Sequence, residues 1–95
     1  MSSSEAAPPT REKLLADLRS WMQSEFQLKP EQIEPATHLI DDLDFDSIDL
    51  VDLAVLLEER LGLKLDNEEL NSVKTVGDAV NVAHAALVRR SAGAA

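Results

Sequence analysis

Between residues 11 and 27, Leu14, Leu15, Leu18, Trp21, Met22 and Phe26 recur at spacings of three and four. That spacing lays them along one stripe and predicts a long amphipathic helix. Thr10 suits its N-cap, and Lys29-Pro30 is expected to end it. A second helix is expected over 47–61, with Asp46 as N-cap and Asp49 completing a capping box. At about 100° per residue, Leu50, Leu53, Ala54, Leu57 and Leu61 share its core-facing side. Gly62 suits the left-handed position after it, and Leu63 is placed to pack back on Leu57. After an extended piece, Leu63-Lys64-Leu65, either Asp66 or Asn67 caps one short helical turn through Leu70. A last helix follows Thr75, with Asp78 in its first turn and Val76, Ala79, Val80, Ala83, Ala86 and Leu87 on its inner face.

Between the first two long helices lies an 18-residue loop, 28–45, with two prolines. Loops of that length are uncommon in compact domains and are often functional. Leu28, Ile33, Leu39, Ile40 and Leu43 are expected to fasten it to the core. The pattern as a whole predicts an all-α fold, a small four-helix bundle with three long helices and one short one. The expected boundaries are a disordered arm over 1–9, a folded domain over 10–90 and a frayed end over 91–95.

Charge sharpens this picture. The 95-residue chain has a net charge of −9, but the charge is unevenly placed. Residues 1–30 are neutral overall, residues 31–69 hold thirteen acids and two bases, and residues 70–95 carry a small positive excess. Six aspartates fall within 41–52. Such a segment repels a phosphate backbone, so nucleic-acid binding is not expected. The same segment suits docking against basic protein surfaces. The longest unbroken apolar run, 53–57, is far shorter than the ~20 residues that span a bilayer. The start Met1-Ser2-Ser3-Ser4-Glu5 lacks the features of a signal peptide. A cytoplasmic monomer is expected.

The chain has no cysteine, so it brings no disulfide, cysteine-metal site or thiol of its own. Asp42, Asp44 and Asp46 alternate as at the opening of an EF-hand. The sixth position is Ser47 rather than Gly, however, and the twelfth is Leu53 rather than Glu. Crowded carboxylates here suit loose divalent binding, not a specific calcium loop. His38 and His84 are the only histidines, and Ser47 lacks a Gly-x-Ser-x-Gly elbow, so no serine hydrolase is assembled. Ser47 does open a helix, where an attached phosphate would meet the positive end of the helix dipole.

The side of the second helix opposite its core stripe carries Ile48, Asp52, Val55 and Glu59, with Asp49 flanking them. Two apolar residues in line with acids, next to Ser47, suggest a mixed docking strip: the acids steer a basic surface and Ile48 and Val55 make the short-range contacts.

Several ordered motifs carry a resemblance: Asp44-Phe45-Asp46-Ser47-Ile48-Asp49-Leu50, then Leu57-Glu58-Glu59-Arg60-Leu61-Gly62, then Thr75-Val76-Gly77-Asp78-Ala79. Together they resemble the acyl carrier proteins over about residues 11–88. The resemblance implies that Ser47, in the Asp46-Ser47 pair, receives 4′-phosphopantetheine from coenzyme A through a separate phosphopantetheinyl transferase. It implies a carrier, not an enzyme. Acyl intermediates of fatty acid, specialised lipid or polyketide synthesis would ride as thioesters, partly shielded between the second and third helices. Acyl-transfer and synthase enzymes with basic docking surfaces would be its partners. The alternatives are a peptidyl or aminoacyl carrier of the same architecture and, in another class, an acidic calcium-binding or interaction module without a prosthetic group. Three positions depart from the family pattern. Asp44-Phe45 stands where Gly-Ala or Gly-x is usual, Leu50 where a small polar residue is common, and Asp66 where a proline is common. The bulky Phe45 ring beside Ser47 is expected to alter which transferase or partner accepts the chain.

Overall fold

The computed structural model describes residues 9–93, with side chains through Arg90. Its elements are α1 (Arg11–Phe26), a 3-10 turn (Pro30–Gln32), α2 (Ser47–Leu61), α3 (Asn67–Asn71) and α4 (Val76–Gly93). Among the described residues there is no strand, only an isolated bridge between His38 and Thr75. The fold is the all-α bundle of three long helices and one short one. Residues 1–8 of the arm expected over 1–9 lie outside the described residues, as do residues 94–95 of the frayed end expected over 91–95.

Each helix starts on a side-chain cap that fills backbone N–H groups left without partners at a helix end. Thr10 accepts from the Lys13 N–H at 3.1 Å. Asp46 and Asp49 close a capping box at the start of α2, and Asp66 and Glu69 close one at α3. Asp66, not Asn67, is thus the cap of the short helix. Thr75 accepts from the Asp78 N–H while the Asp78 carboxylate accepts from the N–H groups of Lys74 and Thr75.

The helix ends are equally local. Gly62 takes φ 65° after α2, and the Leu63 N–H donates back to the Glu58 carbonyl at 3.1 Å. Helix α1 stops earlier than Lys29-Pro30 implies. Gln27 itself turns left-handed, at φ 57°, and Pro30 instead opens the 3-10 turn.

One core joins the three long helices and the loops between them. Leu14, Leu18 and Met22 of α1 share one buried cluster with Leu53, Leu56 and Leu57 of α2. The six residues expected on the inner face of α4 are all buried. Leu56 is buried too, beyond the expected stripe, whereas Leu50 and Leu61 at its ends are half-buried. Polar contacts brace the far end of the bundle. The Arg60 guanidinium lies 5.8 Å from the Trp21 ring. Arg90 donates to the Leu61 carbonyl at 3.0 Å and to that of Gly62, filling acceptors at the end of α2.

The long loop is tied down by its backbone as well as its side chains. Pro35 and Thr37 offer carbonyls to the first N–H groups of α4, those of Gly77 and Val76, and Leu39 donates to Lys74. Gly77 is required here: a Cβ on it would lie 2.9 Å from the Pro35 oxygen. Ile33 and Leu39 are buried, and Leu28 and Leu43 pack at the core edge. Ile40 does not follow the expectation; it is 56% exposed, because the turn that buries Leu39 points its neighbour outward. Phe45 takes its place in the core at 5% exposure, with its ring 4.7 Å from that of Phe26.

Candidate functional site

The site begins at Ser47, the exposed first residue of α2. Two neighbours fix it there. On one side Phe45 is anchored in the core, its N–H donating to the Leu39 carbonyl at 3.0 Å. On the other, the Asp46 carboxylate holds the Asp49 N–H at 2.9 Å, and Asp49 returns a bond to the Asp46 N–H at 3.2 Å. The Leu50 N–H then pairs with the Asp46 carbonyl. Among the described residues, the N–H groups of Ser47 and Ile48 have no protein acceptor. An exposed hydroxyl beside two free amides at a positive helix end suits a phosphate ester on that hydroxyl.

Phe45 therefore faces inward and is not presented to a partner. Its place in the core corrects the expectation of a bulky ring displayed beside Ser47. The preceding Asp44 explains why glycine is usual there: its φ is 60°. A side chain in that left-handed region costs energy that glycine avoids, although aspartate bears it better than most. Asp44→Gly is expected to stabilise the fold by about 0.5 kcal/mol and Asp44→Ala to destabilise it by about 1 kcal/mol. Urea unfolding of both variants checks the pair.

Ser47 also stands on the rim of a cavity of about 360 Å³ between α2 and α3. Its wall is mainly apolar, with Leu53, Leu57 and Leu65 in its depth and Leu50, Leu70 and Val73 nearer the surface. Asn67 and Asn71 of α3 line it as well, and the sequence reading passed over both. Helix α3 has no buried residue of its own. It covers the cavity as a thin wall, held by the Asp66–Glu69 box and an Arg89–Glu69 ion pair at 2.9 Å.

The other candidate residues are placed as follows. Ile48 is 70% exposed and Val55 42%, on the same face as the exposed Asp52 and Glu59, with Asp49 half-buried beside them. Val51, 59% exposed, joins this face one turn from Ile48 and Val55, a residue that the sequence reading missed. Two of the three alternating acids of the loop are turned to backbone duty. Asp42 accepts from the His38 N–H at 2.8 Å, and Asp46 serves the helix cap. No group of three His, Cys, Asp or Glu among the described residues is placed to hold a metal ion. His38 is exposed and His84 half-buried, far apart in the sequence and on different elements. No described helix is long and apolar enough to cross a membrane.

Comparison with known proteins agrees with this geometry. A family model described as "Phosphopantetheine attachment site" matches residues 16–82. Acyl carrier protein 2 of Ralstonia nicotianae is 41% identical over 78 residues, covering 82% of this chain and 96% of that protein. The meromycolate extension acyl carrier protein of Mycobacterium tuberculosis is 36% identical over 73 residues, 77% of this chain and 64% of that protein. The crystal structure of an acyl carrier protein from Thermotoga maritima superposes with a TM-score of 0.74 at 25% identity, covering 84% of this chain and 93% of that one. With a helix-initiating serine, an apolar cavity beside it and a phosphopantetheine model matched across the fold, the chain belongs to the acyl carrier proteins, carriers of acyl groups on a covalently attached phosphopantetheine.

Proposed function

We propose that Ser47 is the residue that takes the 4′-phosphopantetheine arm. The observation that carries this is the exposed Ser47 hydroxyl at the first residue of α2, beside two N–H groups without protein acceptors and on the rim of an apolar cavity. When bound, the arm supplies a terminal thiol that holds acyl groups as thioesters. The chain has no cysteine, so that thiol is the only one it presents. The residues of the chain position and shelter: Asp46 and Asp49 hold the start of α2, and the α2–α3 cavity keeps water from apolar cargo. In this reading the chain is a monomeric cytoplasmic shuttle without catalysis of its own. It serves fatty acid, specialised lipid or polyketide synthesis. Intact mass after incubation with a broad-specificity phosphopantetheinyl transferase and coenzyme A tests it. One phosphopantetheinyl group per chain is expected, and an unchanged mass with an active transferase removes the reading.

The same reading gives the exposed face of α2 to partner enzymes. Ile48, Asp49, Asp52, Val55 and Glu59 form the strip next to Ser47, and Val51 extends its apolar part. Acids in this position speed encounter with a basic surface, and apolar contacts set how long the complex lasts. Asp49 is a poor residue for testing this, because its carboxylate also closes the α2 capping box. Asp52 and Glu59 are exposed and free of that duty. Asp52→Lys with Glu59→Lys is expected to slow association with the transferase about tenfold at low salt and to flatten its salt dependence. Val55→Ala is expected to speed dissociation by up to about tenfold, the burial of two methyl groups. Stopped-flow binding reads both, and wild-type kinetics in both variants would move docking to another face.

A further inference from the structure

Two residues other than glycine take a positive φ among the described residues, Gln27 at 57° and Asp44 at 60°. Each stands beside one member of an aromatic pair. Gln27 follows Phe26, the last residue of α1, and Asp44 precedes Phe45, two residues before Ser47. The two rings lie 4.7 Å apart between centroids with 45° between their planes, a favoured arrangement for aromatic contact. Left-handed backbone costs energy for both glutamine and aspartate. Such strain persists only where the surroundings hold it, and it concentrates at functional sites.

What holds these two turns against each other is narrow. The Asp44 N–H donates to the Ile40 carbonyl at 3.0 Å and the Phe45 N–H to that of Leu39 at 3.0 Å, so the loop is closed on itself up to the start of α2. Neither bond reaches α1. Among the described residues no hydrogen bond or ion pair joins residues 24–29 to residues 44–50. The end of α1 therefore reaches the start of α2 through apolar packing, and Phe26 against Phe45 is part of that packing. Phe26 is half-buried and lines neither the α2–α3 cavity nor the exposed strip of α2.

We propose that Phe26 is a positioning residue for phosphopantetheinyl transfer, acting through Phe45 to fix where the Ser47 oxygen stands. This rests on the reading of Ser47 as the attachment residue. In the transfer, the Ser47 oxygen forms a bond to the β-phosphorus of coenzyme A and the pyrophosphate P–O bond breaks. Adenosine 3′,5′-bisphosphate leaves, and the hydroxyl proton passes to solvent. The reacting atoms must come within about 3–3.5 Å, and a misplacement of about 1 Å can cost about a hundredfold. A ring-sized gap beside Phe45 lets residues 44–47 relax out of the strained backbone and carry the hydroxyl with them. The strip that meets the transferase is untouched, so the loss falls on kcat and not on KM.

The test uses the full chain as substrate of a phosphopantetheinyl transferase with coenzyme A, followed by intact mass at several carrier concentrations. The temperature is one at which circular dichroism shows every variant folded. Phe26→Ala is expected to lower kcat about five- to tenfold, as a partial misplacement would, with KM unchanged. Phe26→Leu keeps most of the apolar volume and should restore the wild-type kcat. Val80→Ala, in the buried face of α4, lowers the melting temperature without touching the pair and should leave kcat as it is. If Phe26→Ala does not fold, Phe26→Val leaves a smaller gap and is expected to lower kcat about threefold. A wild-type kcat in the folded Phe26 variant overturns the proposal. So does a raised KM at constant kcat, which would make Phe26 a docking residue. So does an equal loss of kcat in Val80→Ala, which would make the rate a mere readout of stability. A wild-type chain that gains no mass removes the Ser47 reading and this inference with it; a wild-type chain that loads as fast as its Phe26 variant removes this inference alone.

Discussion

Ser47→Ala is expected to abolish the mass gain with phosphopantetheinyl transferase while leaving the fold intact. The two halves of that result have separate causes. Modification needs an exposed nucleophilic oxygen at the start of α2, and alanine has none. Folding needs the Asp46–Asp49 box, which alanine at 47 leaves alone. Surface substitutions away from such features stay within about 0.5 kcal/mol, so circular dichroism and melting should match wild type. Several other described hydroxyls are already engaged: Thr10 and Thr75 in helix caps, Thr37 with the Glu34 N–H, and Ser72 with the Glu69 carbonyl. A second readout is available because the chain has no cysteine. A thiol reagent should find no thiol before modification of wild type, one after it, and none in Ser47→Ala under any condition. A folded Ser47→Ala that still gains the mass, or gains a thiol, would place the attachment elsewhere.

The helices were legible in the sequence because their signals are local. Caps at Thr10, Asp46 and Thr75 and the left-handed Gly62 are set by residues within a few positions of one another. The inner face of α4 follows directly from 3.6-residue periodicity. Less legible were features that depend on distant contacts. Gln27 ends α1 before Pro30 does, and no residue preference announces it. Ile40 and Phe45 exchange their expected places because the loop is registered against α4 by backbone bonds from Pro35, Thr37 and Leu39, which side-chain patterns do not encode. Leu56 and Val51 flank the predicted stripe, where a helical wheel alone cannot tell how wide the buried arc is. The cavity rim was least legible. Asn67 and Asn71 reach the cavity only because the chain folds α3 beside it, which no local pattern encodes. Their i, i+4 spacing was the one available signal, and in so short a helix it is weak.

The relocation of Phe45 predicts the largest loss of stability. Phe45→Ala is expected to cost about 3–5 kcal/mol, the range for removing a buried aromatic ring. The ring is 5% exposed, and its tilted contact with Phe26, at 4.7 Å between centroids, adds a pair interaction beyond simple burial. Domains of this size have about 5–15 kcal/mol in all, so the variant should melt at least ~12 °C lower. Phe45→Leu keeps most of the apolar volume and should lose much less. The loss also reaches the site. Phe45 is the last buried residue before Ser47, and its burial fixes where α2 begins relative to the end of α1. Phe45→Ala assayed at a temperature where it is still folded should therefore accept phosphopantetheine more slowly, whereas Phe45→Leu should stay near wild type. Thermal melts and modification rates of the two variants separate the possibilities. If Phe45→Ala costs less than ~1 kcal/mol but still blocks one transferase and not another, the ring is a recognition element on the surface. If it lowers stability and slows every transferase alike, the ring acts as the structure has it, by holding Ser47 in place from inside the core.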